Sequence, residues 1–299
     1  MLLPLMDKYG PTINWNLTGS LPSGTTFTRT QASPQTTTAI GSDGLLKYFN
    51  ANEPRFDYDP VSLAPLGLLY EPQRTNVLAL SRSISMWTNN AALSVTDNFY
   101  TSPDATQNAS QIVTDGAFKG RYSGAAVAAN TSYAVSGYVK SFSGSHIIRV
   151  GAQNAEGGTS NALIHIDTVT GAIADSKPAA YDAYSVLLPN GWTYFKYRIL
   201  TGAAQTYVSY LAYAIDGGSV FSVWGVQIEA GTIASSLIQT NGSAATRATD
   251  QLSFTIPSGV TTLRYTFDDN STQDVTVSAG AYTVPTNLNR PNIKRIVSV

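Results

Sequence analysis

Hydrophobic and polar residues alternate along the middle of the chain with the two-residue period typical of β-strands. In the segment 133–140, Val135 and Val139 fall on one face, and Tyr138 and Lys140 on the other. Further strands are predicted at 146–150, 162–167, 192–199, 206–215 and 220–228. Glycine, Asn or Asp separates these segments, and no helical period lies between them. The pattern favours an antiparallel sandwich of jelly-roll type over an alternating βαβ fold.

The two ends of the chain show a weaker pattern. Residues 1–105 are rich in Pro, Asn and Thr, and the run Gly41-Ser42-Asp43-Gly44 predicts a tight turn. At the other end, the sequence predicts a strand at 263–267, a turn at 268–271, a returning strand at 274–278 and a closing strand at 293–299. We therefore predict an all-β chain with an extended N-terminal arm (1–105), a jelly-roll β-sandwich (106–250) and a small C-terminal β module (251–299).

Composition narrows the possible functions. The 299 residues carry a net charge of −1, and only 12% of them are charged. Without a basic stripe, a nucleic-acid partner is not expected. No apolar run approaches the roughly 20 residues needed to span a bilayer, so membrane insertion is not expected either. The absence of cysteine excludes disulfides and thiolate metal sites.

Few residues suggest catalysis. Histidine occurs only at positions 146 and 165, both inside predicted strands, and neither has a metal-ligand partner at helical spacing. Glycoside hydrolysis usually needs two carboxylates that flank the scissile bond. No spacing singles out such a pair among Asp167, Asp175, Asp182, Asp216 and Glu229. We predict no catalytic residue, no metal site and no cofactor.

Tyrosine, which occurs 17 times, offers flat apolar rings with a hydroxyl for hydrogen bonding. If Val135, Ile148 and Ile164 face the core, the neighbouring side chains point outward. The residues predicted on this basis to form a glycan-binding face are Tyr138, Arg149, His165 and Tyr194, with Lys196 and Arg198 on the same face of the strand as Tyr194. Ordinary cross-strand pairing, or burial by a partner subunit, would explain the same outward tyrosines.

Several runs carry a resemblance to a known class of proteins. They are Phe-Thr-Arg at 27–29, Pro-Arg-Phe-Asp-Tyr-Asp-Pro at 54–60, Gly-Leu-Leu-Tyr-Glu-Pro-Gln-Arg-Thr-Asn at 67–76, Gly-Trp-Thr-Tyr at 191–194, Trp-Gly-Val-Gln-Ile-Glu-Ala-Gly at 224–231, Ala-Thr-Arg-Ala-Thr-Asp at 245–250, and the stretch 282–296. Together these resemble tail-fibre, head-spike or receptor-binding structural proteins of tailed bacteriophages and prophages, which contain a carbohydrate-binding-like jelly roll. The resemblance covers most of the chain.

The resemblance implies a non-enzymatic virion component that contacts host-surface polysaccharide. Its expected partners are other phage virion proteins and further copies of the chain, with a trimer favoured. Its expected location is the head or tail surface of the virion, after synthesis in the cytoplasm of the host bacterium. Two alternatives stay open: a purely structural capsid or tail decoration protein without glycan binding, and a capsule-degrading depolymerase.

The residues in these runs are predicted to hold the fold or the assembly together. Arg29 and Arg74 are expected to pair with Glu71 or Asp57, and Arg247 and Asp250 to hold the exit of the sandwich to the arm. Alternation along 224–228 predicts that Trp224 shares a core face with Val226 and Ile228. The predicted structural or assembly residues are Arg29, Arg55, Asp57, Glu71, Arg74, Trp224 and Arg247.

Overall fold

Strands joined by turns build the described part of the chain. The computed structural model describes residues 12–30, 37–155 and 160–299, without the side chains of residues 153–161. Residues 1–11 and 31–36 of the predicted arm therefore lie outside the description. Within the described ranges there is one short 3-10 helix, Ile84–Met86, and no helix long and apolar enough to cross a membrane.

The strands follow one another closely along the chain. They are β1 (Asn14–Asn16), β2 (Thr26–Thr28), β3 (Thr38–Ile40), β4 (Leu46–Tyr48), β5 (Arg55–Tyr58), β6 (Pro65–Leu69), β7 (Arg74–Asn76), β8 (Thr88–Asn90), β9 (Ser94–Thr101), β10 (Gln107–Val113), β11 (Gly120–Ala126), β12 (Ser132–Ser143), β13 (Ile147–Ala155), β14 (Ser160–Asp167), β15 (Ile173–Ser176), β16 (Tyr181–Leu187), β17 (Thr193–Leu200), β18 (Tyr207–Ala214), β19 (Val220–Ala230), β20 (Ala245–Arg247), β21 (Gln251–Ile256), β22 (Thr262–Phe267), β23 (Thr272–Thr276), β24 (Gly280–Thr283) and β25 (Asn292–Ser298). Each strand predicted from the alternation has a counterpart here, from β12 to β25.

Two large antiparallel sheets share one hydrophobic core. Sheet 1 has the order β16-β17-β12-β19-β10-β9, with β7 beside β19 and β20 beside β7. Sheet 2 has the order β15-β14-β13-β18-β11-β8. The core side chains include Val135, Phe195 and Val226 from sheet 1 and Ile148, Ile164 and Ala212 from sheet 2. The all-β part of the prediction is confirmed, since the described chain forms several antiparallel sheets and the two largest contribute side chains to one core.

A second core joins the two ends of the chain. Strands β23-β22-β25-β6-β5 form one sheet, with β1 also beside β25, and β2-β21-β24 form another. Their shared core contains Leu17, Phe27 and Leu68 from the N-terminal region and Tyr265 and Ile296 from the C-terminal region. The described part of the predicted arm therefore lacks a core of its own. Its residues up to Tyr70 complete the core of the C-terminal strands, and Leu78, Ile84 and Trp87 pack in the core of the sandwich.

The sheet that joins the chain ends contains a close backbone approach. Gly67, in β6, adopts a φ of +104°, and a Cβ atom there would lie 2.3 Å from the carbonyl oxygen of Ile293 in β25. Only glycine combines this backbone conformation with that approach. Gly67 thus allows β6 to pair with both β5 and β25.

One prediction about β19 is wrong because of a β-bulge. Gly225 has a φ of +60°, and the register shifts there, so that Ser136 lies opposite Gln227 while Tyr138 lies opposite Trp224. The extra residue reverses the alternation between Trp224 and Val226. Trp224 is buried as predicted, but on the outer face of sheet 1, whereas Val226 and Ile228 belong to the core between the sheets.

Replacement of Gly67 by alanine is expected to lower the free energy of unfolding by about 3 kcal/mol or more, because the methyl group must displace the backbone of β25. Gly19→Ala is the matched control, since no heavy atom lies within 4 Å of the Cβ position at Gly19. Chemical denaturation of both variants measures the difference. Equal stability of the two variants would contradict the close pairing of β6 with β25.

Candidate functional site

A cleft of about 580 Å³ separates the outer face of sheet 1 from the strands of the second core. Its floor is formed by side chains of β12, β16, β17 and β19. Its walls are formed by residues 57–60, 233–237 and 289–292, together with β3 and the start of β4. Segments from widely separated parts of the chain therefore meet around one concave surface, which is where ligand sites are most often found.

Three aromatic rings form one row on the outer face of sheet 1. Tyr138 and Tyr194 line the cleft, and Trp224 is fully buried beside them. Tyr138 of β12 lies opposite Tyr194 of β17 on one side and Trp224 of β19 on the other. The ring centroids are 5.3 Å apart for Tyr138 and Tyr194 and 5.6 Å apart for Tyr138 and Trp224. Residues directly opposite each other across strands point to the same face, so the three rings are contiguous.

Tyr138 and Tyr194 differ in their accessibility. Tyr138 is on the outer face of sheet 1, as the alternation predicts, but only 6% of it is exposed. It packs in one apolar cluster with Leu46 and Leu237, which come from segments that cross over the sheet. Tyr194 is partly exposed at the edge of the same cluster and lines the cleft. The prediction that Tyr138 points into solvent is therefore wrong, because distant segments cover it.

A more polar row lies beside the aromatic one. Lys196 of β17 is opposite Ser136 of β12 and Tyr184 of β16. The Lys196 ammonium nitrogen is 5.2 Å from the centroid of the Tyr184 ring, within range of a cation–π interaction. Burial lowers the pKa of Lys196, and the positive charge of Arg290 acts in the same direction, whereas the negative charge of Asp268 opposes them.

Carboxylates also line the cleft, and each already has protein partners. Asp57 accepts hydrogen bonds from the Ile40 amide at 2.8 Å and from the Asn292 side chain at 3.1 Å. Asp59 accepts bonds from the amides and hydroxyl of its own turn. Asp268 is paired with both Nε and Nη2 of Arg290, each at 2.6 Å. All three carboxylates are therefore turned toward donors of the protein itself.

The fourth carboxylate of the cleft, Glu71, belongs to a buried ion cluster. We define this cluster as Arg29, Arg55, Glu71, Arg247 and Asp250. Each of its members is at most 3% exposed. Arg29 follows β2, Arg55 begins β5 and Glu71 follows β6. Arg247 ends β20, and Asp250 precedes β21. The cluster therefore lies where the sandwich joins the second core.

Arg55 occupies the centre of the ion cluster. Its Nη2 is 2.6 Å from Asp250 Oδ2, and its Nη1 is 2.9 Å from Glu71 Oε2. Arg29 approaches the other oxygen of Asp250 at 2.9 Å, and Arg247 approaches Glu71 Oε2 at 3.1 Å. Burial would raise the pKa of Glu71, but the charges of Arg247 and Arg55 outweigh it and lower the pKa to about 2. Glu71 is consequently ionised in the folded protein near neutral pH.

Of the residues predicted to hold the chain together, most meet in or beside this cluster. Arg29 pairs with Asp250, and not with Glu71 or Asp57, since Asp250 is brought to it from 221 positions away. The predicted pairing of Arg74 with Glu71 or Asp57 is wrong. The Arg74 guanidinium lies against Gly231 and donates a hydrogen bond to the Gln73 carbonyl instead. Arg247 and Asp250 both lie within the cluster, at the exit of the sandwich.

Two further buried carboxyl groups have raised pKa values. Burial raises the pKa of Glu229 to about 7, although hydrogen bonds from Ser235 and the charge of Arg247 oppose the rise. Burial also raises the pKa of Asp57 to about 6, against the bond from the Ile40 amide. Ser235 bridges Glu229 to the ion cluster, since its hydroxyl also accepts a bond from Arg247 at 3.1 Å. The junction therefore changes charge between mildly acidic and neutral pH.

The other predicted glycan-binding residues lie on the opposite outer face of the sandwich. Arg149 of β13 is opposite His165 of β14, and its Nε donates to His165 Nε2 at 3.0 Å. The guanidinium also lies 4.7 Å from the ring centroid of Phe118. Burial lowers the pKa of His165, and the charge of Arg149 lowers it further. Tyr138 and Tyr194 are thus brought together, and Arg149 and His165 form a separate pair on sheet 2.

Sequence reasoning missed Tyr184 as part of a site. Alternation along β17 does place Lys196 beside Tyr194 on the outer face, but nothing in the sequence shows that residues 289–292 form the wall opposite them. The described residues also include no group of three or more His, Asp or Glu side chains arranged to hold a metal ion. In comparisons with known proteins, the chain matches no protein-family model and no curated protein sequence.

Arg55→Met is expected to lower the free energy of unfolding by about 3–5 kcal/mol, because it leaves Asp250 and Glu71 buried with less compensation. Arg264→Met is the control, since Arg264 forms an exposed pair with Asp274 and should contribute less than about 1 kcal/mol. Urea denaturation gives both values. A loss at Arg55 no larger than that at Arg264 would contradict the structural role of the cluster.

Glu229 is expected to make stability fall as pH rises. The folded state holds the Glu229 proton up to about pH 7, whereas the same side chain in the unfolded chain loses it near the ordinary glutamate pKa of 4.5. Folding is therefore coupled to the uptake of a proton between pH 4.5 and 7. The contribution of Glu229 to the free energy of unfolding is fully present below pH 4.5 and is lost as the pH rises through 7. It amounts to about 3 kcal/mol.

The measurement is the difference in unfolding free energy between the wild-type protein and Glu229→Gln across about pH 4.5–7.5. The opposing contribution of His165, whose pKa is lowered, is common to both proteins and cancels. The wild-type protein should lose stability relative to the variant as pH rises. A constant difference over this range would show that Glu229 is ionised throughout.

Proposed function

We propose that this chain is a non-enzymatic structural component of a bacteriophage virion, a fibre, spike or decoration protein, and that its cleft contacts host-surface polysaccharide. The observation that carries the proposal is the row of aromatic side chains on the cleft floor, with Tyr194 partly exposed beside Lys196. Sugar rings stack on flat aromatic faces, while hydroxyl and amide groups at the rim accept and donate hydrogen bonds.

The sandwich is, in the same proposal, a jelly roll. Strands β10, β12, β17 and β19 lie in sheet 1, and β11, β13, β14 and β18 lie in sheet 2. Successive strands from β10 to β13 alternate between the sheets, and so do β17, β18 and β19. This interleaving is what a jelly roll requires, and it supports the carbohydrate-binding-like domain that the sequence motifs suggest.

Binding is favoured over hydrolysis because of the state of the cleft carboxylates. A glycosidase needs one carboxyl group to donate a proton and a second to act as base or nucleophile. Asp57, Asp59, Glu71 and Asp268 instead accept bonds from protein amides, hydroxyls or guanidinium groups. Those bonds keep each group turned toward the protein and argue against the depolymerase alternative.

Assembly into a virion is the second part of the proposal. The recognisable runs at 54–60, 67–76 and 245–250 supply Arg55, Glu71, Arg247 and Asp250 to the buried ion cluster. These runs therefore serve the fold, and the partners of this chain, other virion proteins and further copies of itself, contact other surfaces. Imaging of intact particles with a label on this protein would show whether it lies on the head or the tail.

The binding test uses a panel of purified bacterial capsule and O-antigen polysaccharides. Tyr194→Ala should weaken binding about tenfold, because it removes a stacking ring. Phe118→Ala is the matched control, since it deletes a half-exposed ring on the opposite face of the sandwich. Weakening by Phe118→Ala alone would move the site to the Arg149–His165 face. Failure to bind any polysaccharide would favour a pure decoration protein, and release of reducing ends would favour a depolymerase.

A further inference from the structure

The charged side chains that line the cleft differ in whether they have an ion-pair or hydrogen-bond partner within the protein. The carboxylates Asp57, Asp59, Glu71 and Asp268 all accept hydrogen bonds or ion pairs from the protein, and the cationic Arg290 is held by Asp268. Lys196 differs from them. Within the described ranges of the chain, it forms no ion pair.

Lys196 is also held in place. Its strand lies between β12 and β16, and its ammonium group rests against the ring of Tyr184, at 5.2 Å from the centroid. Its partial burial removes water that would otherwise solvate the charge, and this lowers its pKa. A partly desolvated ammonium gains more from an incoming anion than a fully solvated one does, because the local dielectric is lower.

The neighbours of Lys196 fit a sugar ring. Tyr184, which is 48% exposed, lies directly opposite Lys196 on β16, and Tyr194 lies two residues before it on β17. A pyranose that stacks on one of these rings would carry a substituent of its ring to the ammonium group. Because the carboxylate of a hexuronic acid is attached directly to the pyranose ring, one sugar residue carries both the apolar face that stacks and the anion that would pair with Lys196.

We propose that the cleft selects acidic polysaccharide, with the carboxylate of a uronic-acid-type sugar paired to Lys196 and the sugar ring stacked on Tyr184 or Tyr194. This inference rests on the proposed polysaccharide-binding function of the same cleft. Neutral polysaccharides and sulfated polysaccharides are the competing ligands, and they are distinguished by the experiment.

The experiment presents each acidic bacterial polysaccharide beside its carboxyl-reduced form, in which the carboxylate becomes a primary alcohol and the ring is retained. Sulfated polysaccharides form a third arm. We expect binding to the carboxylated forms and a loss of about tenfold or more after carboxyl reduction, since a charge-assisted bond is lost. Equal binding to the reduced forms, or a preference for sulfated chains, would overturn the inference and leave polysaccharide binding in place. Failure to bind any polysaccharide would instead remove the proposed function itself.

Variants of the full chain test whether Lys196 is the group that binds the sugar carboxylate. Lys196→Met keeps the apolar stem and removes the charge, so it should reproduce the loss seen on carboxyl reduction. It should have no effect on binding to a reduced polysaccharide. Lys196→Arg, which keeps the charge, should bind within a few-fold of the wild-type protein. Lys119→Met is the control, because Lys119 pairs with Asp115.

Thermal unfolding of each variant checks that it folds. If Lys196→Met folds and binds carboxylated and reduced chains as the wild-type protein does, Lys196 is not the carboxylate ligand. If it does not fold, the carboxyl-reduction series on the wild-type protein still decides between an acidic and a neutral ligand, and high salt should weaken only the acidic one.

Discussion

Arg55 is fully buried, and its charge is held between Asp250 and Glu71 at 2.6 and 2.9 Å. A guanidinium group in such a place is stable only if carboxylates and carbonyls replace the water that it loses. Asp250 meets this need from just before β21, Glu71 from just after β6, and the Thr38 carbonyl from β3 at 2.8 Å. The charge therefore fixes three segments, from different parts of the chain, at one point.

The geometry of the cleft depends on the buried ion cluster around Arg55. Glu71, Ser235 and Ser236 belong both to the cleft wall and to the hydrogen bonds around the ion cluster. The second core, which unites Leu68 with Ile296, lies on one side of the junction, and sheet 1 lies on the other. The wall at 289–292 is bonded to the same segments that supply Arg55 and Glu71, since the Tyr70 amide donates to the Pro291 carbonyl and the Asn292 side chain donates to Asp57. The residues that hold the fold together and the residues proposed to bind polysaccharide are thus different residues on either side of one junction.

The local structure could be predicted from the sequence more fully than the site could. Alternation is a local signal, and it indicated β12 to β14, β17 to β19 and, in the C-terminal module, β22, β23 and β25, but not β21 or β24. The same signal gave the wrong face for Trp224, because the extra residue of the bulge at Gly225 turns Trp224 to the other face of β19. The burial of Tyr138 was missed for a different reason, since Leu46 and Leu237 reach it through tertiary packing. Alternation also placed Lys196 on the outer face beside Tyr194, but whether its charge has a partner depends on every segment around it.

The most direct test of the proposed binding cleft is hydrogen–deuterium exchange of the intact protein with and without a bound polysaccharide. We predict slower exchange in β16 and β17 and in residues 289–292, because the ligand would lie between the floor and the wall of the cleft. Slower exchange confined to β13 and β14, where Arg149 and His165 lie, would contradict this placement.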